Sequence, residues 1–314
     1  MSRVAAIDCG TNSLRLLVAD IDPVKGTIDD LIRDMHIVRL GQGVDKTHRF
    51  ADDALTRTFQ ACREYALQIA ELGAERVRFV ATSASRDATN RDEFFTGVRS
   101  ILGVDVEVIT GDQEAALSFA GATRELVAVQ AVSAPYLVVD IGGGSTEFVL
   151  GEGDVEAARS VDIGCVRLFE RHLSSDPATG AQIEAARADV VAAIELAAQS
   201  VPMTRAKTLV GLAGSVTTVA ALALELVDYD PDRIHHSRIT APQVHSITEH
   251  LLAMSRAERA ALTVMHPGRA DVIGAGALVL DTIMSTLELP DVLVSEHDIL
   301  DGIAFSIGES VRDH

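Results

Sequence analysis

The stretch Val138-Val139-Asp140-Ile141-Gly142-Gly143-Gly144-Ser145-Thr146-Glu147 decides how the rest of the chain is read. The apolar, β-branched run from Tyr136 to Val139 predicts a buried strand. It closes on a carboxylate and three consecutive glycines, and a second strand begins at once. A turn without side chains presents several backbone N–H groups to one anion, and phosphate is the natural occupant. Asp140 and Glu147 bracket this turn. Two carboxylates beside a phosphate repel it unless a hard divalent cation lies between, and Mg²⁺ takes one or two carboxylates together with phosphate oxygens. The plain alternative is a glycine-rich hairpin loop that binds nothing.

The pattern occurs twice. Ala6-Ile7-Asp8-Cys9-Gly10-Thr11-Asn12-Ser13 aligns with residues 138–145, so that Asp8, Gly10 and Ser13 fall on Asp140, Gly142 and Ser145 at a constant offset of 132 residues. Both copies read strand, D-x-G-x-x-S turn, strand. The period is far too long for a solenoid. It predicts two similar halves, each offering a phosphate-binding turn to a shared cleft.

A chain of 314 residues suits two domains with large cores. With 47% apolar and 23% charged residues it has the make-up of a soluble globular protein. No apolar run is long enough to span a membrane, and Met1-Ser2-Arg3 leads straight into the strand of Asp8, so neither a membrane partner nor a signal peptide is expected. Cys9, Cys62 and Cys165 are scattered, which fits a reducing cytoplasm and no structural zinc; Cys9 reads as a small buried filler. A net charge of −19 argues against nonspecific nucleic-acid binding. It does not exclude an anionic substrate, because local amides, metal and arginines set the field in a cleft.

Along the chain, strands are predicted at 3–9, 13–21 and 28–40, then a helix at 51–72, a strand at 76–81, a helix at 87–102, a strand at 104–109 and a helix from 112 to about 129. The second half restarts with strands at 136–140, 145–151 and 155–163. Helices at 164–173 and 179–200, a strand at 207–212 and a helix at 216–227 follow. Residues 228–240, with Pro231 and the pair His235-His236, read as irregular. Helices at 241–253 and 267–287, a strand at 291–294 and a helix at 299–312 complete the pattern. This is an α/β chain with mixed sheets, divided near 125–134.

Several segments carry candidate chemistry. Gly10, Thr11, Asn12 and Ser13 form the first phosphate turn beside Asp8, and Gly142, Gly143, Gly144 and Ser145 the second. Gly211-Leu212-Ala213-Gly214-Ser215-Val216-Thr217-Thr218 is a third candidate, in which Gly214 and Ser215 open a helix whose N-terminus suits phosphate; a cap without ligand explains it equally well. Arg86 follows the strand 76–81 at a carboxyl end, where open α/β sheets bind ligands. It is placed to clamp phosphate or to pair with Asp87 or Asp92. Glu114 lies in the first turn of a helix after another strand end. It reads either as a base toward water or as an acid complementing the helix dipole, with Asp112 available for the dipole. Arg167 and Arg269, each near a glycine at a helix start, read as phosphate ligands or salt-bridge partners. The ten histidines form no H-x-x-x-H or H-E-x-x-H array, and His235 and His236 read as loop structure rather than metal ligands. No P-loop and no nucleophile elbow is present.

On these residues the sequence resembles the exopolyphosphatase/guanosine pentaphosphate phosphohydrolase family of the actin-like ATPase superfamily. The motifs are residues 6–13, Ala81-Thr82-Ser83-Ala84-Ser85-Arg86, Gly111-Asp112-Gln113-Glu114-Ala115, residues 140–147, residues 211–215 and Gly268-Arg269-Ala270-Asp271. The resemblance implies two ribonuclease-H-like domains around an interdomain cleft, 1–125 and 126–298, with the final helix 299–314 returning to the first. It implies Glu114 as the catalytic carboxylate, Arg86 on phosphate, and Asp140 and Glu147 near the metal, with Asp8 as a further metal-site carboxylate. Two departures stand out. The first acid of the family's G-x-E-E-A motif is Gln113 here, which removes a charge beside Glu114. The family's Gly-Leu-Arg-x-Gly appears as Asp298-Ile299-Leu300-Asp301-Gly302, without its arginine. The length matches a short, two-domain form.

The expectation is Mg²⁺-assisted release of terminal orthophosphate from inorganic polyphosphate, with Glu114 activating water. The alternative substrate is guanosine pentaphosphate, pppGpp. More distant readings are a kinase of the same superfamily, for which no acceptor site is found, and a non-catalytic polyphosphate or nucleotide sensor. A cytoplasmic homodimer is expected.

Overall fold

Both predicted hairpins form. The computed structural model describes residues 2–22, 27–126 and 132–309, and the chain divides into two compact units, Met1–Arg124 with Asp298–His314, and Glu125–His297. In the first unit, β1 (Ser2–Cys9), β2 (Ser13–Asp22) and β3 (Thr27–Ile37) run antiparallel in succession, and β4 (Arg76–Ala81) and β5 (Val106–Val108) add parallel to β1. The sheet order is β3-β2-β1-β4-β5. Strand β1 is apolar almost throughout because both of its faces are covered. Ala5, Ile7 and Cys9 face a core containing Tyr65, Phe79 and Phe94. Val4 and Ala6 face the other way, onto Ile299, Ile303 and Phe305 of the final helix. Successive side chains of a strand point to opposite faces, so one strand feeds two cores.

The second unit repeats this plan. Strands β6 (Tyr136–Ile141), β7 (Thr146–Gly151) and β8 (Val155–Val161) form the antiparallel meander. Strand β9 (Thr208–Leu212) pairs parallel with β6 and β11 (Asp291–Val294) parallel with β9, while β10 (Arg238–Thr240) closes the edge antiparallel. The order is β10-β11-β9-β6-β7-β8. Removing β10 leaves the strand order of the first unit, so each half is a ribonuclease-H-like α/β unit with a mixed sheet.

The final helix, Ile299–Glu309, packs on the helix Gly111–Thr123 in the first unit. Glycine is required where they cross: a Cβ on Gly302 would collide with the Leu117 carbonyl, and one on Gly121 with that of Asp298. The Arg124 guanidinium lies 3.9 Å from the centre of the Phe305 ring, and Arg33 of β3 holds Asp301 through Nη2–Oδ1 at 2.6 Å.

Several boundaries differ from the sequence reading. The helix expected to reach 129 ends at Thr123; residues 127–131 lie outside the described residues, as do 310–314. The helix expected at 267–287 is broken. Pro267–Arg269 forms a separate 3-10 turn, capped by the His266 ring, which accepts from the Gly268 amide at 3.1 Å; the long helix is Ile273–Thr286. The helix expected at 216–227 runs instead from Ala213 to Ala223. Single-turn helices at Ser83–Asp87 and Arg256–Ala260, and the three-residue strand β10, are too short to show a period. Among the described residues no helix is long and apolar enough to cross a membrane.

Candidate functional site

The two glycine turns are held from behind in the same way. In the first unit the Gly10 amide donates to Ser13 O at 3.0 Å and closes the hairpin. Thr11 O then accepts from the Gly41 amide at 2.8 Å, and Asn12 O accepts from the amides of Val38 and Arg39 at 3.1 and 2.9 Å. In the second unit Gly142 closes on Ser145 O at 3.0 Å, Gly142 O accepts from the Cys165 amide at 2.9 Å, and Gly143 O accepts from the Val166 and Arg167 amides at 2.9 and 3.1 Å. A trans peptide carries its C=O and N–H in opposite directions. Drawing these carbonyls backward therefore turns the amides of Asn12 and Ser13, and of Gly143 and Gly144, forward. That is the arrangement an anion cradle needs.

The supporting segments come close enough to demand glycine themselves. A Cβ on Gly164 would lie 2.5 Å from the Gly143 carbonyl carbon. The first backbone amides of the helix Cys165–His172 are thus taken by the turn they support.

The strand pairs that carry the turns differ at one position. Asp8 lies opposite Arg15 across β1 and β2, and Asp140 lies opposite Glu147 across β6 and β7. Arg15 and Glu147 are the same position of the repeat, offset by 132 residues. Directly opposed residues of an antiparallel pair share a face, with Cβ atoms about 4.5–5.5 Å apart. In the first unit the pair is neutralised within the protein. Arg15 Nε and Nη2 bind Asp8 Oδ2 at 3.0 and 2.7 Å, and Arg15 also binds Asp298. Burial pushes the Asp8 carboxyl above its usual range despite Arg15, and its Oδ1 is buried with no hydrogen-bond partner. In the second unit two carboxylates face each other, 8% and 1% exposed, and Ser160 Oγ donates to Glu147 Oε1 at 2.7 Å. Buried like charges directly opposed are unfavourable, and hard oxygen donors in this number suit Mg²⁺. Asp140 and Glu147 fit that ion, while Asp8 is bound by Arg15.

At the carboxyl ends of β4 and β5 the structure joins two residues that the sequence left apart. Arg86 Nη1 binds Glu114 Oε2 at 2.7 Å and the Ile109 carbonyl at 3.1 Å. Arg86 comes from the short helix after β4, and Glu114 from the first turn of the helix after β5. Asp112 is exposed whereas Glu114 is buried, so the dipole acid and the inward acid are separate residues. Two further buried hydroxyls of this unit, Thr11 Oγ1 and Ser85 Oγ, have no hydrogen-bond partner. Buried polar atoms are normally satisfied, so each of these oxygens is open to a polar partner from outside the chain. Cys9 is buried and its thiol is pushed well above its usual range by that burial, which leaves it a packing residue.

A family model, the Ppx/GppA phosphatase family, matches residues 17–310. The chain belongs to this family. It is 51% identical to exopolyphosphatase 2 of Mycobacterium tuberculosis strain H37Rv, over 98% of this chain and 99% of that one. A crystal structure of an exopolyphosphatase-like protein superposes with a TM-score of 0.93 at 43% identity, covering 98% of this chain and 99% of the other. A guanosine-5'-triphosphate,3'-diphosphate pyrophosphatase of Photobacterium profundum is 29% identical over 99% of this chain and 60% of its own length.

Both departures from the Ppx/GppA motifs have a structural account. Gln113 closes a capping box: its side chain accepts from the Thr110 amide at 2.9 Å, and Thr110 Oγ1 accepts from the Gln113 amide at 3.2 Å. Glutamate and glutamine both serve at this position of a capping box, so Gln113 works on the helix end that presents Glu114. Where the family has its arginine, Leu300 is buried in the core under the final helix. The flanking acids are taken by arginines from the sheet, Asp298 by Arg15 and Asp301 by Arg33. Burial alone would raise the Asp298 carboxyl, but Arg15 and Arg33 prevail and hold it below its usual range. Arg15 and Asp298 escaped the sequence reading as site residues, although the repeat offset aligns Arg15 with Glu147.

The Gly211–Thr218 segment is built around a strained residue. Ala213 has φ 68°, a left-handed conformation uncommon for a side chain-bearing residue. The Arg269 guanidinium lies on Gly214, close enough that a Cβ there would collide with it, and donates to Gly214 O at 3.1 Å. Ser215 is buried. In this Ppx/GppA chain the third segment thus pairs a helix start with Arg269, joining two motifs that the sequence reading treated separately.

Proposed function

We propose that the protein is an exopolyphosphatase that releases terminal orthophosphate from inorganic polyphosphate. The observation that carries this reading is the Arg86–Glu114 pair, which holds a buried carboxylate at a helix start, in a unit that also buries unpartnered hydroxyl oxygens. In the proposed reaction Glu114 takes a proton from the attacking water. Arg86 holds Glu114 before substrate arrives and offers its guanidinium to the phosphoryl oxygens. The forward amides of Asn12 and Ser13, and of Gly143 and Gly144, hold phosphate oxygens without side-chain obstruction, assisted by Ser145, Gly214 and Ser215. Asp140 and Glu147 are the residues that would hold Mg²⁺, whose chemistry when bound is to neutralise phosphate charge. The similarity to exopolyphosphatase 2 along both full lengths supports polyphosphate as substrate.

A second reading keeps the residues and changes the substrate to pppGpp, and the similarity to a guanosine-5'-triphosphate,3'-diphosphate pyrophosphatase favours it. Phosphate release with Mg²⁺ from polyphosphates of several lengths, pppGpp and ATP in parallel separates the two. Polyphosphate is expected to give the highest kcat/KM. Preference for pppGpp would replace the first reading by the second, and release from none of them would remove both.

We also propose a cytoplasmic homodimer acting on no nucleic acid or membrane, since one short chain offers a polymeric substrate only a short track. Light scattering should give the mass of two chains. A single-chain mass at every concentration would overturn this.

A further inference from the structure

A polar cluster that the proposed reaction does not use lies in the second unit, away from the glycine turns in sequence. His235 and His236 follow a short helix, Pro231–Ile234, and stack with ring centres 3.7 Å apart. The His297 ring also lies against His235, with ring centres 4.5 Å apart. Three consecutive residues here bury polar atoms that find no hydrogen-bond partner: His235 Nε2, His236 Nε2 and Ser237 Oγ. His236 also has φ 60°, a left-handed conformation that costs free energy at a residue with a side chain and concentrates at functional sites. Native structures rarely bury so many unsatisfied groups together, and an ion is one standard reason when they do.

We propose that Glu125, His235 and His297 form a binding site for a first-row transition-metal cation of the zinc type. Their ligand atoms lie within 4.8 Å of one another. Glu125 Oε2 is 3.5 Å from His235 Nε2 and 3.4 Å from His297 Nδ1. Zinc binds imidazole nitrogen and carboxylate oxygen at 2.0–2.1 Å in tetrahedral geometry, which places neighbouring ligand atoms about 3.3–3.4 Å apart. The two spacings are long for hydrogen bonds and match that tetrahedral edge. Two imidazoles and one carboxylate select a borderline transition metal over Mg²⁺, which prefers oxygen alone. The Glu296 amide donates to His235 Nδ1 at 3.2 Å; loading Nε2 moves the ring proton to Nδ1, and that hydrogen bond is exchanged for the metal bond.

The placement gives the site a purpose. Glu125 is the first residue of the second unit and His297 the last, so they stand at the two points where the chain passes to the first unit. A cation held by both, and by His235 from the interior of the second unit, ties the two crossings together.

The test uses the untagged full chain, with Zn²⁺ titrated by calorimetry and Co²⁺ by visible absorption. One equivalent of Zn²⁺ is expected, with an intense tetrahedral Co²⁺ spectrum and a higher melting temperature. Glu125→Gln, His235→Ala and His297→Ala should each weaken binding about tenfold or more. His48→Ala, which removes an exposed histidine elsewhere, and Asp140→Asn should leave it intact. Circular dichroism identifies any variant that fails to fold, and Glu125→Gln alters an exposed side chain, so one informative variant remains in that case. Absence of stoichiometric binding overturns the proposal. So does binding that survives loss of both His235 and His297, or that depends on Asp140.

Discussion

Glu114→Gln is expected to lower polyphosphate turnover roughly 10²–10⁴-fold while the protein stays folded. The substitution keeps the shape of the side chain and an oxygen that can accept from Arg86 Nη1, which now donates to Oε2 at 2.7 Å. It removes the charge and the basicity. If Glu114 served only the helix dipole, its loss would cost about 0.3–1 kcal/mol of stability and leave turnover nearly unchanged. The two roles therefore differ in which measurement moves. Stopped-time phosphate release gives kcat, and denaturant unfolding gives stability. Substrate binding should persist or tighten, because one negative charge facing the phosphates is gone. Asp112→Asn is the control, since Asp112 is exposed on the same helix turn. Wild-type rates in Glu114→Gln would sink the mechanism and make Glu147 the next carboxylate to test.

The second large effect concerns the opposed pair Asp140 and Glu147. Glu147→Gln should show far less Mg²⁺-dependent thermal stabilisation than wild type, because it removes one of the two carboxylates that face each other across β6 and β7. Wild type should gain stability from the ion, while Glu147→Gln gains little and needs far more Mg²⁺ for activity. The shift should be at least the roughly 10–100-fold in affinity that losing an outer-shell partner of a metal costs. Chelation should abolish wild-type activity. Thermal melts with and without Mg²⁺ decide the matter apart from activity. An equal Mg²⁺-dependent rise in both proteins would remove Glu147 from the metal site.

The opposed pair also shows where reading the chain as a string stops. The two hairpins were legible from local signals: a strand of β-branched residues, an acid, a glycine-bearing turn, and the same order repeated 132 residues later. Those signals arise between neighbours in sequence, so no tertiary knowledge is needed to find them. The alternation of β1 between two cores is likewise a property of the strand alone. What each carboxylate faces is not. Asp8 meets Arg15 and Asp140 meets Glu147 only through the register of paired strands, and that register makes one copy a salt bridge and the other a pair of like charges.

The forward direction of the turn amides was equally hidden. It depends on Val38, Arg39 and Gly41 in one unit and on Cys165, Val166 and Arg167 in the other, which reach back to the turn carbonyls from outside the motif. Arg86 could have paired with Asp87 or Asp92 nearby in sequence. It pairs with Glu114, 28 residues away, because parallel β4 and β5 bring their carboxyl ends together. Gln113 looked like a lost charge beside the base until the capping box showed it bonded to Thr110. The histidines looked like loop residues because their spacing fits no metal motif; Glu125, His235 and His297 become neighbours only when the chain returns along β11 to the point where it entered the second unit. Sequence determined the pieces with local causes, the strands, the glycine turns and their repetition. Tertiary structure decided the partner of every charged side chain in them, because a charge is satisfied by whatever the fold brings within about 3 Å, however far away it lies in the chain.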